Sequence, residues 1–207
     1  MAYVVFLRGV NVGGKNVFRP AQLAVALADL DVVNVGAAGT FVVRAKASEA
    51  AIRREILARL PFEVKLAVVP GDEVIALARS KPFQGVAISK GARAWAAAMH
   101  GQPSASPKLP LATPVGDAWS VRFDRVAGSF ALGIWRRQPM GFVFPNQVVE
   151  KALGVVATTR WWETLERIAA ILAKTPDPKA DAAAAPAAAR GAAKPRPRRT
   201  RSQRARR

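Results

Sequence analysis

The sequence predicts an α+β protein with a ferredoxin-like βαββαβ subdomain over residues 1–81, a second small α+β subdomain over 82–173, and a disordered tail over 174–207. Three observations support this prediction. Strand-like and helix-like segments follow the βαββαβ order through the first subdomain. A second, less regular series of such segments comes after it. At residue 174 the composition changes to alanine, proline and basic residues.

The first subdomain opens with a β-branched and aromatic segment, Tyr3–Leu7, which is typical of a buried strand. A glycine-rich turn follows, and Pro20 suits the first turn of a helix whose apolar residues lie at helical spacing. Val32–Val35 and Thr40–Arg44 are predicted as two strands, because a short turn containing two glycines joins them as in a hairpin.

In the rest of the first subdomain, a predicted helix is again followed by a predicted strand. Ser48 is a good N-cap residue, and the apolar stripe after it predicts a second helix. Phe62–Val69 alternates between apolar and polar residues as a strand does, which completes the βαββαβ series. Asp72–Ser80 predicts a further short helix, which ends before Pro82.

The second subdomain is less clearly patterned. Ala92–His100 fits an alanine-rich helix or a buried strand, and both alternatives stay open. Gln102–Pro114 is rich in proline and serine, which predicts a loop. Trp119–Asp124 and Phe130–Arg136 are predicted to form a hairpin around a central glycine.

Two helices are predicted to close the second subdomain. Asn146 is expected to cap the first of them, Gln147–Leu153. Thr159 is expected to cap the second, because leucine and isoleucine residues follow it at helical spacing.

The tail carries half of the net charge of +18, because residues 174–207 contain 11 basic and 2 acidic residues. Five prolines and almost no bulky apolar side chains favour disorder there. From Lys194 to the end, eight of fourteen residues are basic and none is acidic. Such a segment binds DNA or RNA without sequence preference and in a salt-dependent way. The residues predicted to contact nucleic acid are Lys194, Arg196, Arg198, Arg199, Arg201, Arg204, Arg206 and Arg207.

Composition also excludes several classes of function. The chain has no cysteine, which removes disulfides, thiolate catalysis and cysteine-based metal sites. The first residues do not resemble a signal peptide, and no apolar run approaches the roughly 18 residues that a membrane span needs. We therefore expect a cytoplasmic location, with association with the nucleoid if the tail contacts DNA.

The glycine-rich turn is the strongest candidate for chemistry in the body. Gly9-x-x-x-x-Gly14-Lys15-Asn16 matches a phosphate-binding P-loop except at its last position, where a hydroxyl is needed to ligate Mg²⁺. The loop also does not lead directly into a helix, which disfavours a nucleoside triphosphate site. Two interpretations remain: a tight turn that uses glycines for positive φ, and an anion-binding loop. The candidate anion-binding residues of this loop are Arg8, Gly13, Gly14, Lys15 and Arg19.

Four short motifs carry a resemblance to a known family. The run from Phe6 to Asn16 resembles the opening signature of the uncharacterised bacterial family named domain of unknown function 1697 (DUF1697). Lys81-Pro82-Phe83, Glu150-Lys151-Ala152-Leu153 and Ala157-Thr158-Thr159-Arg160 support the resemblance. It covers nearly all of the body and none of the tail. It implies two small α+β subdomains, the first ferredoxin-like, and no established activity. Arg160, from the last motif, joins the candidate anion-binding residues.

The chain departs from the family pattern at two places. Where the family usually has the polar turn Gln-Ser-Gly-Asn, this chain has Ala37-Ala38-Gly39-Thr40. Where the family usually has Asn-Trp after Thr-Thr-Arg, this chain has Trp161-Trp162. If those polar groups serve a ligand site in the family, that site is weakened here.

Catalytic groups are scarce in the sequence. His100 is the one histidine, which is too few for a typical zinc site, and no Gly-x-Ser-x-Gly nucleophile motif is present. We expect no metal, no cofactor and no catalytic residue. Trp135-Arg136-Arg137 and Arg160-Trp161-Trp162 resemble a base-stacking platform, but core tryptophans beside solvated arginines are the favoured interpretation.

The leading hypothesis is a non-enzymatic module that binds nucleic acid non-specifically through its tail. The alternative is a small-molecule or phosphate-binding enzyme with its site at the loop 8–19. A third hypothesis is a protein-interaction domain that the tail holds near nucleic acid. The expected partners are DNA or RNA and an unidentified small molecule, with no membrane partner. The sequence leaves the oligomeric state and the choice between DNA and RNA open.

Overall fold

Two antiparallel sheets organise residues 1–14, 16–139 and 142–174, which are the residues described by the computed structural model. The first sheet contains β1 (Tyr3–Leu7), β2 (Val32–Asn34), β3 (Thr40–Val43) and β4 (Leu66–Pro70). Its order is β2-β3-β1-β4, and all neighbouring strands are antiparallel. With a helix on each of the two crossover connections, this is the predicted ferredoxin-like arrangement.

The two crossover helices cover one face of the first sheet. They are α1 (Pro20–Ala26), with proline in its first turn, and α2 (Glu49–Ala58). The Oγ of Ser48 accepts a hydrogen bond from the N–H of Ala51 at 3.2 Å, so Ser48 caps α2 as predicted. A short 3₁₀ turn, Ala28–Leu30, follows α1. The buried cluster under these helices includes Val5, Leu7, Phe41, Val43, Leu66, Leu23, Leu27, Ile52 and Ile56.

The second sheet has five strands in the order β6-β7-β8-β5-β9. They are β5 (Ala92–Met99), β6 (Leu111–Thr113), β7 (Val121–Ala127), β8 (Phe130–Arg136) and β9 (Ala157–Trp161). The long strand β5 lies between β8 and β9 and pairs with both in antiparallel register. The predicted hairpin is therefore confirmed as β7 and β8.

Three further helices complete the described chain: α3 (Gly71–Arg79), α4 (Pro145–Leu153) and α5 (Trp162–Ala173). Helices α3 and α5 pack in a buried cluster shared with the second face of the first sheet and one face of the second. Helix α4 covers the other face of the second sheet. The first sheet is therefore buried on both faces, which explains its continuous apolar runs.

The described residues form one compact unit. The shared cluster draws Val4, Phe6 and Val42 from the first sheet and Ala96 and Leu132 from the second. The boundary between residues 81 and 82 stays a prediction.

The structure decides between the two alternatives for Ala92–His100, because this segment forms the strand β5. Alanine favours helices, but here strand pairing and packing decide the structure. The segment lies between two partner strands, and both of its faces are covered. The predicted loop Gln102–Pro114 is wrong at Leu111–Thr113, which forms the edge strand β6.

Three predicted element ends are also wrong. Helix α4 begins at Pro145 rather than after Asn146, since proline at the first helical position needs no N–H acceptor. Thr159 does not cap the last helix, because it lies within β9 and pairs with Ala97. The strand predicted at Phe62–Val69 begins only at Leu66.

The predicted disorder of the tail falls, from residue 175 on, outside the described residues. The eight basic residues predicted to contact nucleic acid lie there as well. Within the described ranges, none of the helices has the length and apolar character needed to cross a bilayer.

Candidate ligand-binding site

A cavity of about 460 Å³ lies where the end of β1, the glycine-rich loop and the β2–β3 turn meet α4, β9 and α5. We call it the central cavity. Its volume falls in the range of small-molecule sites, about 300–1,000 Å³. Its walls are mostly apolar, with a few polar groups that converge on it: Arg8, Asn146, Gln147, Thr159, Arg160 and Thr164.

The glycine-rich loop forms one edge of the central cavity through Gly9 and Val12. The loop turns sharply because Gly9, Gly13 and Gly14 all have positive φ, which glycine adopts without a Cβ penalty. Asn11 holds it in place: its Nδ2 donates to the carbonyl of Ala37 at 2.8 Å, and its Oδ1 accepts from the N–H of Phe18 at 2.9 Å. The loop is thereby tied to the β2–β3 turn.

An ion pair joins the two halves of the cavity wall. The Nε and Nη2 of Arg8, at the end of β1, donate to the two carboxylate oxygens of Glu150 at 2.9 and 2.8 Å. Glu150 lies on α4, and its Oε1 also accepts from the N–H of Ala157 at 3.0 Å. Glu150 therefore binds the glycine-rich loop and β9 to the same helix, and the charge of Arg8 is compensated.

The Arg160 side chain, on β9, is held entirely by neutral groups. Its Nε donates to Thr40 Oγ1 at 2.6 Å, and its Nη1 donates to the carbonyl of Thr159 at 2.8 Å. Its Nη2 donates to the carbonyls of Leu7 at 3.0 Å and Ala38 at 2.5 Å. These bonds orient the guanidinium across the ends of β1 and β3.

The charge of Arg160 has no carboxylate partner within the described residues. Burial lowers the pKa of this guanidinium to about 10, so it stays protonated at neutral pH. A guanidinium has five N–H donors, and one on Nη1 has no acceptor among the described groups. Among the described residues, the central cavity therefore has an excess of one positive charge.

Two helix N-termini add to the positive potential of the cavity. Helix α4 begins after Phe144 and α5 begins after Trp161, and no side chain caps either helix. Residues of both first turns, Asn146 and Thr164, line the cavity. Free backbone N–H groups at helix N-termini carry a partial positive charge and bind anions. Both termini therefore favour an anion in the same space as Arg160.

Three aromatic rings, those of Phe142, Phe144 and Trp161, also line the cavity. Phe142 and Phe144 line the cavity, are 49% and 41% exposed, and have ring centroids 4.7 Å apart. Phe142 also contacts Trp135 at 4.9 Å, and Trp135 contacts Trp161 at 5.7 Å. A connected group of four rings thus extends from the core to the rim.

His100 lies behind the cavity wall and is neutral at physiological pH. Burial is the main cause that lowers its pKa to about 4, and the nearby charges of Arg8 and Arg53 contribute in the same direction. Its Nε2 lies 2.7 Å from the Oγ1 of Thr158, a residue of β9 that is 3% exposed. A histidine that is protonated only in acid is a poor general base at pH 7.

The structure brings two of the six candidate anion-binding residues together, because Arg8 and Arg160 line the same cavity. Gly13 and Gly14 face open space and are not part of its wall. Arg19 lines a separate groove beside α1. Lys15 lies outside the described residues, so its role stays a prediction.

Sequence reasoning missed several residues of the site: Glu150, Phe142, Phe144 and Thr159 as a wall residue. Glu150 and Thr159 belong to motifs that support the family resemblance, which was the available signal. The two departures from the family pattern also fall here, since Ala38 and Trp161 both line the cavity.

At Trp135-Arg136-Arg137 the structure agrees with the favoured interpretation of a core tryptophan. Trp135 is 8% exposed, while Arg136 is half-buried with its guanidinium 3.9 Å from the ring centroid of Trp119. Among the described residues, no group of three or more acidic, histidine or cysteine side chains is arranged to hold a metal ion.

Comparisons with known proteins give a family and a fold. The family described as "Protein of unknown function (DUF1697)" matches residues 1–120. Among solved structures, the chain is similar to a conserved bacterial protein from Streptococcus pneumoniae at 16% identity and a TM-score of 0.52. The superposition covers 83% of this chain and 98% of that chain. This likeness concerns the α+β fold alone. No curated protein matches.

Proposed function

The chain belongs to the DUF1697 family of proteins of unknown function, and we propose that it binds a small organic anion in the central cavity. The observation that carries this proposal is the Arg160 guanidinium, which lies partly buried beside the cavity without a carboxylate partner among the described residues. A buried charge that lacks a counter-ion is costly to the folded protein. A bound carboxylate or phosphate group relieves that cost and gains a charge-assisted hydrogen bond.

The supporting groups point in the same direction. The charge of Arg8 is already neutralised by Glu150. The net positive charge of the described site therefore comes from Arg160. The N-terminus of α5 adds N–H donors without adding a full charge, and α4, which begins with Pro145, adds fewer. One anionic group therefore balances the site.

Binding is favoured over catalysis. Three threonines line the cavity, but among them only Thr158 lies beside a base, His100. Thr158 is buried, and the low pKa of His100 makes it a weak base at neutral pH. The cavity therefore holds a ligand without an activated nucleophile, as a sensor or carrier does.

The direct test is calorimetric titration of the full chain with benzoate, phenyl phosphate, acetate and inorganic phosphate. Thr164→Phe places a ring in the cavity from the first turn of α5, where Thr164 makes no hydrogen bond with a described residue. We expect this variant to lose binding of every organic anion that the unmodified chain binds. Val25→Phe is the matched control, because it adds the same ring at an exposed position of α1, away from the cavity.

A second variant tests the charge. Arg160→Gln removes the positive charge and retains some donors, and we expect a loss of anion affinity of about tenfold or more, corresponding to about 1.4 kcal/mol. Unchanged affinity in both Thr164→Phe and Arg160→Gln contradicts the proposal, since the anion is then bound elsewhere.

We also propose that the tail binds nucleic acid non-specifically, as the sequence predicts. The supporting observation is its charge: eight basic residues in the last fourteen and no acidic one. A cytoplasmic location, with nucleoid association if the partner is DNA, is part of this second proposal.

The tail proposal is tested by measuring the affinity of the full chain and of a chain lacking residues 175–207 for random-sequence duplex DNA and single-stranded RNA. Deletion is expected to abolish most binding at low salt, and the affinity of the full chain is expected to fall steeply as salt rises. If the shortened chain binds as well as the full chain, the tail is not the contact. Thr164→Phe is the control that leaves this binding unchanged.

A further inference from the structure

The aromatic rim of the central cavity narrows the class of ligand. Phe142 and Phe144 belong to the large apolar residues that remain exposed, and Val12, 53% exposed, lies on the same wall. The other described rings are buried or half-buried, whereas these two are exposed at the cavity. We propose that the ligand is a planar aromatic compound with a single carboxylate or phosphate group. This inference rests on the proposed anion binding.

The ring group explains why an aromatic ligand fits better than an aliphatic one. Phe142 and Phe144 meet edge to face, with an interplanar angle of 66°. Aromatic rings attract one another in edge-to-face and offset arrangements at centroid distances of about 4.5–7 Å, beyond the effect of the buried area. A third ring placed in the cavity meets Phe142, Phe144 and Trp161 in that way, whereas a saturated ring gains the area term alone.

The charge of the cavity explains why the ligand has one anionic group. Arg160 supplies one uncompensated positive charge, and Arg8 is paired with Glu150. A polyphosphate brings several negative charges towards the carboxylate of Glu150, which lies behind the wall and bonds to the lining residues Arg8 and Ala157. Repulsion and desolvation therefore disfavour nucleoside di- and triphosphates.

A third observation concerns a hydrogen-bonding group on the ligand. Thr159 lines the cavity, and its Oγ1 is buried without a hydrogen-bond partner among the described residues. Buried hydroxyl groups are nearly always hydrogen-bonded in proteins, so an unpartnered one beside a cavity marks a place for a ligand atom. A ring nitrogen, hydroxyl or amide of the aromatic compound satisfies it.

The test compares 2-naphthoate with ligands that differ from it in ring saturation, in charge or in the number of phosphates. Calorimetric titration of the full chain at about 0.15 M ionic strength uses 2-naphthoate, fully saturated decahydro-2-naphthoate, neutral 2-naphthamide and ATP. We expect 2-naphthoate to bind about tenfold more tightly than its saturated analogue, and more tightly than the amide or ATP. Phenyl phosphate and benzoate, compared in parallel, distinguish a phosphate from a carboxylate as the anionic group.

The matched variants separate the ring effect from folding. Phe142→Leu combined with Phe144→Leu keeps an apolar rim and is expected to reduce the preference for the aromatic ligand to about twofold or less. Phe62→Leu, which removes a ring that packs against Phe18 away from the cavity, is the control and is expected to leave the preference unchanged.

The outcomes distinguish this inference from the function on which it rests. Equal affinity for the aromatic and the saturated acid overturns the aromatic class and leaves anion binding in place. If ATP binds most tightly, the proposal that the ligand has a single anionic group is wrong. If no organic anion binds to the full chain, both the inference and the proposed anion binding are wrong.

Discussion

The two walls of the central cavity differ in what they contribute. The N-terminal wall, formed by the end of β1, the glycine-rich loop and the β2–β3 turn, presents backbone carbonyls, such as those of Leu7 and Ala38. The C-terminal wall, formed by α4, β9 and α5, presents the Arg160 guanidinium, the Glu150 carboxylate and two uncapped helix ends. The loop that resembles an anion site in sequence makes no hydrogen bond to Arg160 among the described residues. The acceptors on the N-terminal wall are the carbonyl of Leu7, at the end of β1, and groups at the β2–β3 turn.

The glycines have a different role here from that of the glycines in a P-loop. In a P-loop, the backbone N–H groups point at a phosphate. Here Leu7, Ala38 and Gly39 direct carbonyl oxygens at Arg160, with the Gly39 bond at 3.2 Å. Gly39, with φ +66°, supplies the tight β2–β3 turn that brings the carbonyls of Ala38 and Gly39 close to that of Leu7.

The largest expected effect comes from removing the guanidinium that both walls share. Arg160→Leu leaves Thr40 Oγ1 and several carbonyls buried without their donor, and we expect the free energy of unfolding to fall by about 3 kcal/mol. Urea denaturation measures it. Arg167→Leu is the matched control, because Arg167 is more exposed and donates to one carbonyl, that of Val35; we expect a loss of about 0.5 kcal/mol. Equal losses in the two variants contradict the shared role of Arg160.

The next effect tests the shape of the N-terminal wall. Gly39 has φ +66°, and a Cβ there lies 2.6 Å from Cγ2 of Val10 and 3.0 Å from Cβ of Leu7. Gly39→Ala is therefore expected to cost about 2.5 kcal/mol, through the strained φ and the overlap together. Gly13→Ala is the control, since it has φ +58° and no atom within 4 Å of its Cβ; we expect about 1 kcal/mol. Thermal and urea unfolding of both variants give the difference.

The third effect concerns the C-terminal wall at acid pH. The pKa of His100 is about 4 in the folded protein, against about 6.5 in an unfolded chain. Between these values the unfolded state binds one more proton, so stability is full above pH 6.5 and falls as the pH decreases towards 4. We expect a loss of about 2 kcal/mol, allowing for solvent screening of a partly buried ring.

Urea denaturation at a series of pH values measures this loss. His100→Gln retains a hydrogen-bonding group for Thr158 but does not titrate, and it is expected to flatten the profile between pH 6.5 and 4. A profile of the same slope in His100→Gln assigns the pH dependence to other groups.

The smallest effect tests the link between the walls. A double-mutant cycle on Arg8→Ala and Glu150→Ala is expected to give a coupling energy of about 1 kcal/mol, because the pair is bidentate yet partly exposed. The pair Arg54 and Glu55, which are 71% and 30% exposed and adjacent on α2, serves as the comparison; its expected coupling is about 0.2 kcal/mol. If the coupling energy of Arg8 and Glu150 is no larger than that of Arg54 and Glu55, the ion pair does not link the two walls energetically.

Predictions from the sequence were correct for structural features that depend on residues close together in the chain. Tyr3–Leu7 is a strand, Ser48 caps a helix, and the β2–β3 hairpin forms around its glycines as predicted. Each of these depends on residues a few positions apart, whose preferences survive in the folded chain.

Predictions failed where partners far along the chain decide the outcome. Thr159 has the features of a helix cap, yet it forms a strand because β9 pairs with β5, some sixty residues earlier, at Ala97. The same pairing places Arg160 against the end of β1. No local pattern around Arg160 indicates that its partners are Thr40 and Leu7.

By itself the sequence determined the fold class, the ferredoxin-like order, the glycine-rich turn and the family, because these depend on periodicity, turn residues and short motifs. It also determined the charge of the tail, which is a matter of composition. Only the tertiary structure decided that Arg160 lacks a carboxylate partner and that Glu150 compensates Arg8. The physical reason is that charge balance depends on distances between residues over a hundred positions apart, which only the packed chain sets.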